Sequence, residues 1–115
     1  MPSRITRKTL HARLTGPGRP VLVEALGAAF YADAHLPGAV NIPPGQVDDL
    51  APGLLPDLRT EIVVYCSGSP TSAVAVARRL EELGYASVTV YEGGKEDWVE
   101  RGLPVERVDG GEPGP

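Results

Sequence analysis

One cysteine, Cys66, stands where an apolar run gives way to small polar residues, in Tyr65-Cys66-Ser67-Gly68-Ser69-Pro70-Thr71-Ser72. The pattern reads as a strand feeding a helix through a short loop, with Ser69 as N-cap and Pro70 at the first helical position, where a missing N–H costs little. Backbone N–H groups at a helix start point toward anions and carry the positive end of the helix dipole, so a thiolate or persulfide held there is stabilised. The chemistry open to such a loop is nucleophilic. A sulfur-transfer enzyme would need from such a loop a thiolate to attack the outer sulfur of a donor and amides to hold the resulting anion, which Cys66 and the backbone of Ser67, Gly68, Ser69, Thr71 and Ser72 can supply. The hydroxyls of Ser67, Ser69, Thr71 and Ser72 add donors, and Gly68 permits a backbone turn that a side chain would block. A free cysteine is often simply a small buried hydrophobe; a strand-end position ahead of a capped helix favours a working thiol instead.

A lone cysteine excludes an internal disulfide, a Cys-x-x-Cys redox pair and a multi-cysteine zinc site. His11 and His35 lie too far apart for a helical metal pair. No metal and no cofactor are expected. The formal net charge of −4 argues against nucleic acid as a partner, since that binding needs surplus Lys and Arg. The local basic cluster Arg4, Arg7, Lys8 and Arg13 reads as a solvated helix face. No apolar run approaches the roughly 18 residues of a spanning helix, and no secretory signal is visible. The expectation is a cytoplasmic protein with no membrane partner.

The elements that must position Cys66 follow from periodicity. Thr6 caps a short helix over residues 7–14, with Ile5 and Leu10 as its hydrophobic staple. Residues 21–25 and 39–42 are short apolar runs bounded by breakers, and residues 61–66 form the clearest strand. Helical turns are expected over residues 30–34 and 46–50. Over residues 71–83, Ala73, Val76, Ala77, Leu80 and Leu83 share one face, and Gly84 stops the helix. Residues 88–91 form another strand, Gly93-Gly94 breaks it, and residues 95–101 form a short helix carrying Trp98. Strands alternating with helices predict an α/β domain over residues 1–108, followed by a flexible polar tail over 109–115. In a parallel sheet of this kind, reactive groups collect at the carboxyl ends of the strands.

The chain resembles the rhodanese-like family from Ile5 to about Val105. The resemblance is carried by His35-Leu36-Pro37-Gly38-Ala39-Val40-Asn41-Ile42-Pro43, by Val63-Val64-Tyr65-Cys66, and by Tyr91-Glu92-Gly93-Gly94-Lys95-Glu96-Asp97-Trp98, in that order. It implies a three-layer fold with a five-stranded, mainly parallel sheet flanked by helices, and a six-residue active loop over residues 66–71. It also implies a sulfurtransferase in which Cys66 takes sulfur from a donor such as thiosulfate and passes it, as a persulfide, to a thiophilic acceptor. The expected partner is a small sulfur donor or anion. The alternative is a relay or binding module served by a sulfur-donor or acceptor protein, with little activity on small donors.

Departures from the family pattern are specific. Thr71 closes the loop where many members have Arg, and Pro70 removes one amide. Glu24-Ala25-Leu26 replaces a frequent Asp-x-Arg, so a family ion pair is expected to be missing or altered. Ser72 stands where phosphatase relatives, with a loop longer by one residue, place Arg, which argues against phosphatase or arsenate reductase activity. His35 is expected to fix the Pro37-Gly38 turn through a backbone hydrogen bond, and Trp98 to be core. Arg78, Arg79 and Lys95 could lend positive charge to a donor site, but none is assigned that role.

Overall fold

The computed structural model describes residues 2–108; the expected tail, 109–115, lies outside them. The central strand, β4 in chain order (Glu61–Tyr65), shows why the sequence folds as it does. Successive side chains on a strand point to opposite faces. Ile62 and Val64 enter one apolar cluster, with Val23, Val76, Ala77 and Leu80. Val63 and Tyr65 enter the other, with Leu10, Leu22, Leu36 and Trp98. A strand covered on both faces has no solvent side, which is why its sequence is a continuous apolar run.

Around it lie β1 (Ser3–Ile5), β2 (Val21–Glu24), β3 (Val40–Asn41) and β5 (Ser87–Tyr91). The sheet order is β1-β5-β4-β2-β3, and every pairing is parallel. The connections are α1 (Arg7–Leu14), α2 (Ala28–Asp33), α3 (Val47–Leu54) and α4 (Thr71–Glu82), and α5 (Gly94–Glu100) follows the last strand. The expected five-stranded sheet flanked by helices is therefore present.

Thr6 caps α1 as predicted, its hydroxyl accepting from the Thr9 amide at 3.2 Å. Gly84, at φ 104°, ends α4 in the arrangement expected of a helix-stop glycine. The Tyr85 amide donates to the Leu80 carbonyl and the Gly84 amide to Glu81. Two elements differ from expectation. β1 was unanticipated because Ser3-Arg4-Ile5 has no apolar pattern; it is a short edge strand, held by pairing with β5. α3 runs to Leu54, through Pro52, because Ala51 and Leu55 are buried and draw the turn inward.

The basic residues near the N-terminus are not merely solvated. Arg4 pairs with Glu92 and Arg13 with Glu61, while Arg7 grips both oxygens of Asp97 at 3.0 and 3.1 Å. Asp97 also accepts the Tyr91 hydroxyl at 2.6 Å, so one carboxylate joins α1, β5 and α5. The Tyr91 hydrogen bond, then Arg7, holds its carboxyl below the ordinary value. A carboxyl depressed on folding contributes stability above its unfolded value, about pH 4, and loses it as pH falls through the lower folded value. Asp97→Asn should therefore unfold at lower urea than the parent at pH 7, and the gap should narrow below about pH 4 in urea titrations across that range. A gap that does not change with pH would contradict the assignment.

Candidate active site

β4 ends at Tyr65, and Cys66 begins the loop at the carboxyl edge of the sheet. Cys66 is the only cysteine and is 2% exposed. The loop brings all the predicted site residues together. Gly68, Ser69 and Thr71 face solvent, while Ser67 and Ser72 are partly buried.

Its start differs from expectation. α4 begins at Thr71, Pro70 is the cap residue, and no side chain caps the helix. The Ser69 hydroxyl instead meets that of Thr71 at 3.1 Å. The Cys66 thiol donates to the Ser69 carbonyl at 2.7 Å. The peptide bearing that carbonyl is followed by Pro70, which has no N–H. Turned either way, it can never offer the sulfur an amide. Among the described residues no amide donates to the sulfur here, but those of Ser67, Gly68, Ser69, Thr71 and Ser72 have no other recorded acceptor.

The far side of the loop is held by α5. The Lys95 amide donates to the Cys66 carbonyl at 2.7 Å and the Glu96 amide to the Ser67 carbonyl at 3.4 Å. Gly94 makes this approach possible: at φ 67°, a Cβ there would lie 1.8 Å from the Ser67 carbonyl oxygen. Gly68 has a different role from the one expected. It is not among the positive-φ glycines, but a Cβ on it would lie 2.8 Å from both Glu96 carboxylate oxygens. It leaves room for Glu96 rather than for a turn.

The ion pair expected to be missing or altered is rebuilt from other residues. Glu24, fully buried, receives Lys95 Nζ at 3.0 Å and the Tyr65 hydroxyl at 2.8 Å. Lys95 also donates to the carbonyls of Phe30 and Ala34, at 2.9 and 2.6 Å. The Tyr65 hydroxyl accepts the Leu36 amide at 3.0 Å; burial, then the Glu24 charge, pushes its ionisation far above the ordinary tyrosine range. Lys95 is thus an internal anchor, not a cation facing a donor. Arg79 is held by Asp48 and Glu82.

His35 does not fix the following turn. It stacks on Tyr31 with ring centroids 3.8 Å apart, and its Nδ1 meets the Tyr31 carbonyl at 2.8 Å. The turn is held instead by Arg19 on the Pro37 carbonyl and by Glu106, which accepts the Gly38 amide. Trp98 is core, as predicted, with its indole N–H on the Pro104 carbonyl. The residues that sequence reasoning missed are Glu24, Gly94 and Glu96. Gly94 had a signal in its Gly-Gly pair, but that pair looked like a simple break.

Comparison with known proteins agrees with this geometry. Residues 6–101 match the family described as "Rhodanese-like domain", and the chain belongs to that family. It is 32% identical over 102 residues to an HTH-type transcriptional regulator of Mycobacterium tuberculosis, an alignment covering 89% of this chain and 44% of the regulator. A thiosulfate sulfurtransferase from Pseudomonas aeruginosa superposes with a TM-score of 0.77 at 28% identity, over 91% of this chain and 20% of the other. The chain thus spans less than half the length of either protein. A human single-domain sulfurtransferase shares the fold, with a TM-score of 0.75 at 22% identity, over 88% of this chain and 98% of its own.

Proposed function

We propose that this protein is a sulfurtransferase working through a Cys66 persulfide. The Cys66 thiol gives its proton to solvent, and the thiolate attacks the outer sulfur of a donor such as thiosulfate. The donor S–S bond breaks, sulfite leaves with the bonding pair, and Cys66 holds the transferred sulfur. A thiophilic acceptor, cyanide or a thiol, then attacks that outer sulfur and releases the Cys66 thiolate. Each step moves one sulfur between nucleophiles and needs no outside oxidant or cofactor.

The observation that carries this reading is the placement of the chain's one cysteine, at the carboxyl end of the central strand and ahead of five amides that have no acceptor among the described residues. In the structure the Ser69 carbonyl lies beside the sulfur. A persulfide anion would repel that carbonyl and draw the amides and loop hydroxyls inward. A reduced free thiol suits the cytoplasm, where disulfides rarely persist. Steady-state release of sulfite from thiosulfate, with cyanide as acceptor, tests the reading. Cys66→Ser should bring turnover to the uncatalysed background; turnover retained in that variant would refute a cysteine-borne intermediate.

A further inference from the structure

The mouth of the loop carries negative charge that the reaction above does not call for. The Glu96 carboxylate lies against Gly68, as close as a Cβ there would allow or closer. Gly68 is two residues from Cys66, and Cα steps of ~3.8 Å keep that carboxylate within on the order of 10 Å of the Cys66 backbone. That is about one Debye length at physiological ionic strength. Beside the loop, and sharing Ser67 with it, runs a groove of about 380 Å³. Its lining includes Val99, half exposed, and Val105, together with the carboxylates of Asp33, Glu96 and Glu100. The opposing cations are few. Lys95, which also lines the groove, is committed to Glu24 and two carbonyls, residues 66–71 contain no Lys or Arg, and Arg107 is the other cation in a lining that holds three carboxylates.

We propose that Glu96 is a specificity-determining residue, setting the mouth against inorganic dianions and toward an organic sulfur carrier, uncharged or cationic beside its sulfur, whose apolar body lies on Val99 and Val105. The substrate half of this inference rests on Cys66 as the sulfur carrier; the charge filter can be measured without it. Because Cys66 is the only cysteine, its alkylation by iodoacetate and by neutral iodoacetamide reports the potential at the sulfur.

In ~0.01 M salt, where screening is weak, Glu96→Gln should raise the iodoacetate-to-iodoacetamide rate ratio roughly twofold. The rate constant for persulfide formation from thiosulfate, which bears twice the charge, should rise roughly fourfold. Both gains should vanish in ~1 M salt, where the Debye length is about 3 Å. A ratio unchanged by Glu96→Gln, or equal changes with both reagents, would overturn the filter. A shifted ratio with no persulfide formed from any donor would leave the filter standing and overturn the sulfur-carrier reading and the substrate class that depends on it.

Discussion

Replacing Lys95 with methionine is expected to destabilise the fold by about 3–5 kcal/mol, the cost of stranding a buried charge, visible as a lower denaturant midpoint with unchanged slope. Glu24 is fully buried, and its counter-ion is the Lys95 ammonium. Methionine fills similar volume but leaves the carboxylate, among the described residues, with only the Tyr65 hydroxyl, and it removes a donor from the Phe30 and Ala34 carbonyls. Against a typical total stability of about 5–15 kcal/mol, that loss is large. Pairing Lys95→Met with Glu24→Leu should recover much of it, because an apolar pair has no charge to strand. If the double variant is no more stable than Lys95→Met alone, the ion pair is not the origin of the loss.

The second large effect is on the site rather than the fold. Gly94→Ala places a methyl 1.8 Å from the Ser67 carbonyl oxygen and 2.8 Å from that of Cys66, so the active loop or α5 must move. Gly102 supplies the control. Its φ of 71° resembles the 67° of Gly94, but nothing lies within 4 Å of its Cβ position. Both substitutions incur the left-handed backbone strain of about 1–2 kcal/mol. Only Gly94→Ala displaces the loop, and a misplacement of about 1 Å near the chemistry can lower a rate about 100-fold. Sulfur transfer by Gly94→Ala should fall on that scale, while Gly102→Ala keeps its turnover. Equal losses in the two variants would show that the close approach of α5 does not set the loop.

Both predictions concern residues whose roles were invisible in one dimension. β4, α4 and Cys66 were legible because their signals are local: an apolar run, one helical face, and a thiol at a strand end. The Glu24–Lys95 pair joins residues about seventy positions apart, and nothing at either residue names the other. Lys95 looked like an available cation, whereas its ammonium turns inward to Glu24 between α2 and α5. Gly68 and Gly94 were legible as glycines but not for what they admit, since a close approach depends on where a second element docks. His35 failed for a related reason. Its nearest sequence feature was the Pro37-Gly38 turn, but the ring turns back to Tyr31 on α2. The helix starts one residue later than the Ser69-Pro70 pattern suggests, with Pro70 as its cap.

The most direct measurement is the intact mass of the protein after incubation with excess thiosulfate under non-reducing conditions. The parent should gain the mass of one sulfur atom, lose it on adding cyanide with release of thiocyanate, and Cys66→Ser should gain none. A parent that gains no sulfur, or a Cys66→Ser variant that gains and releases it as the parent does, would contradict the account.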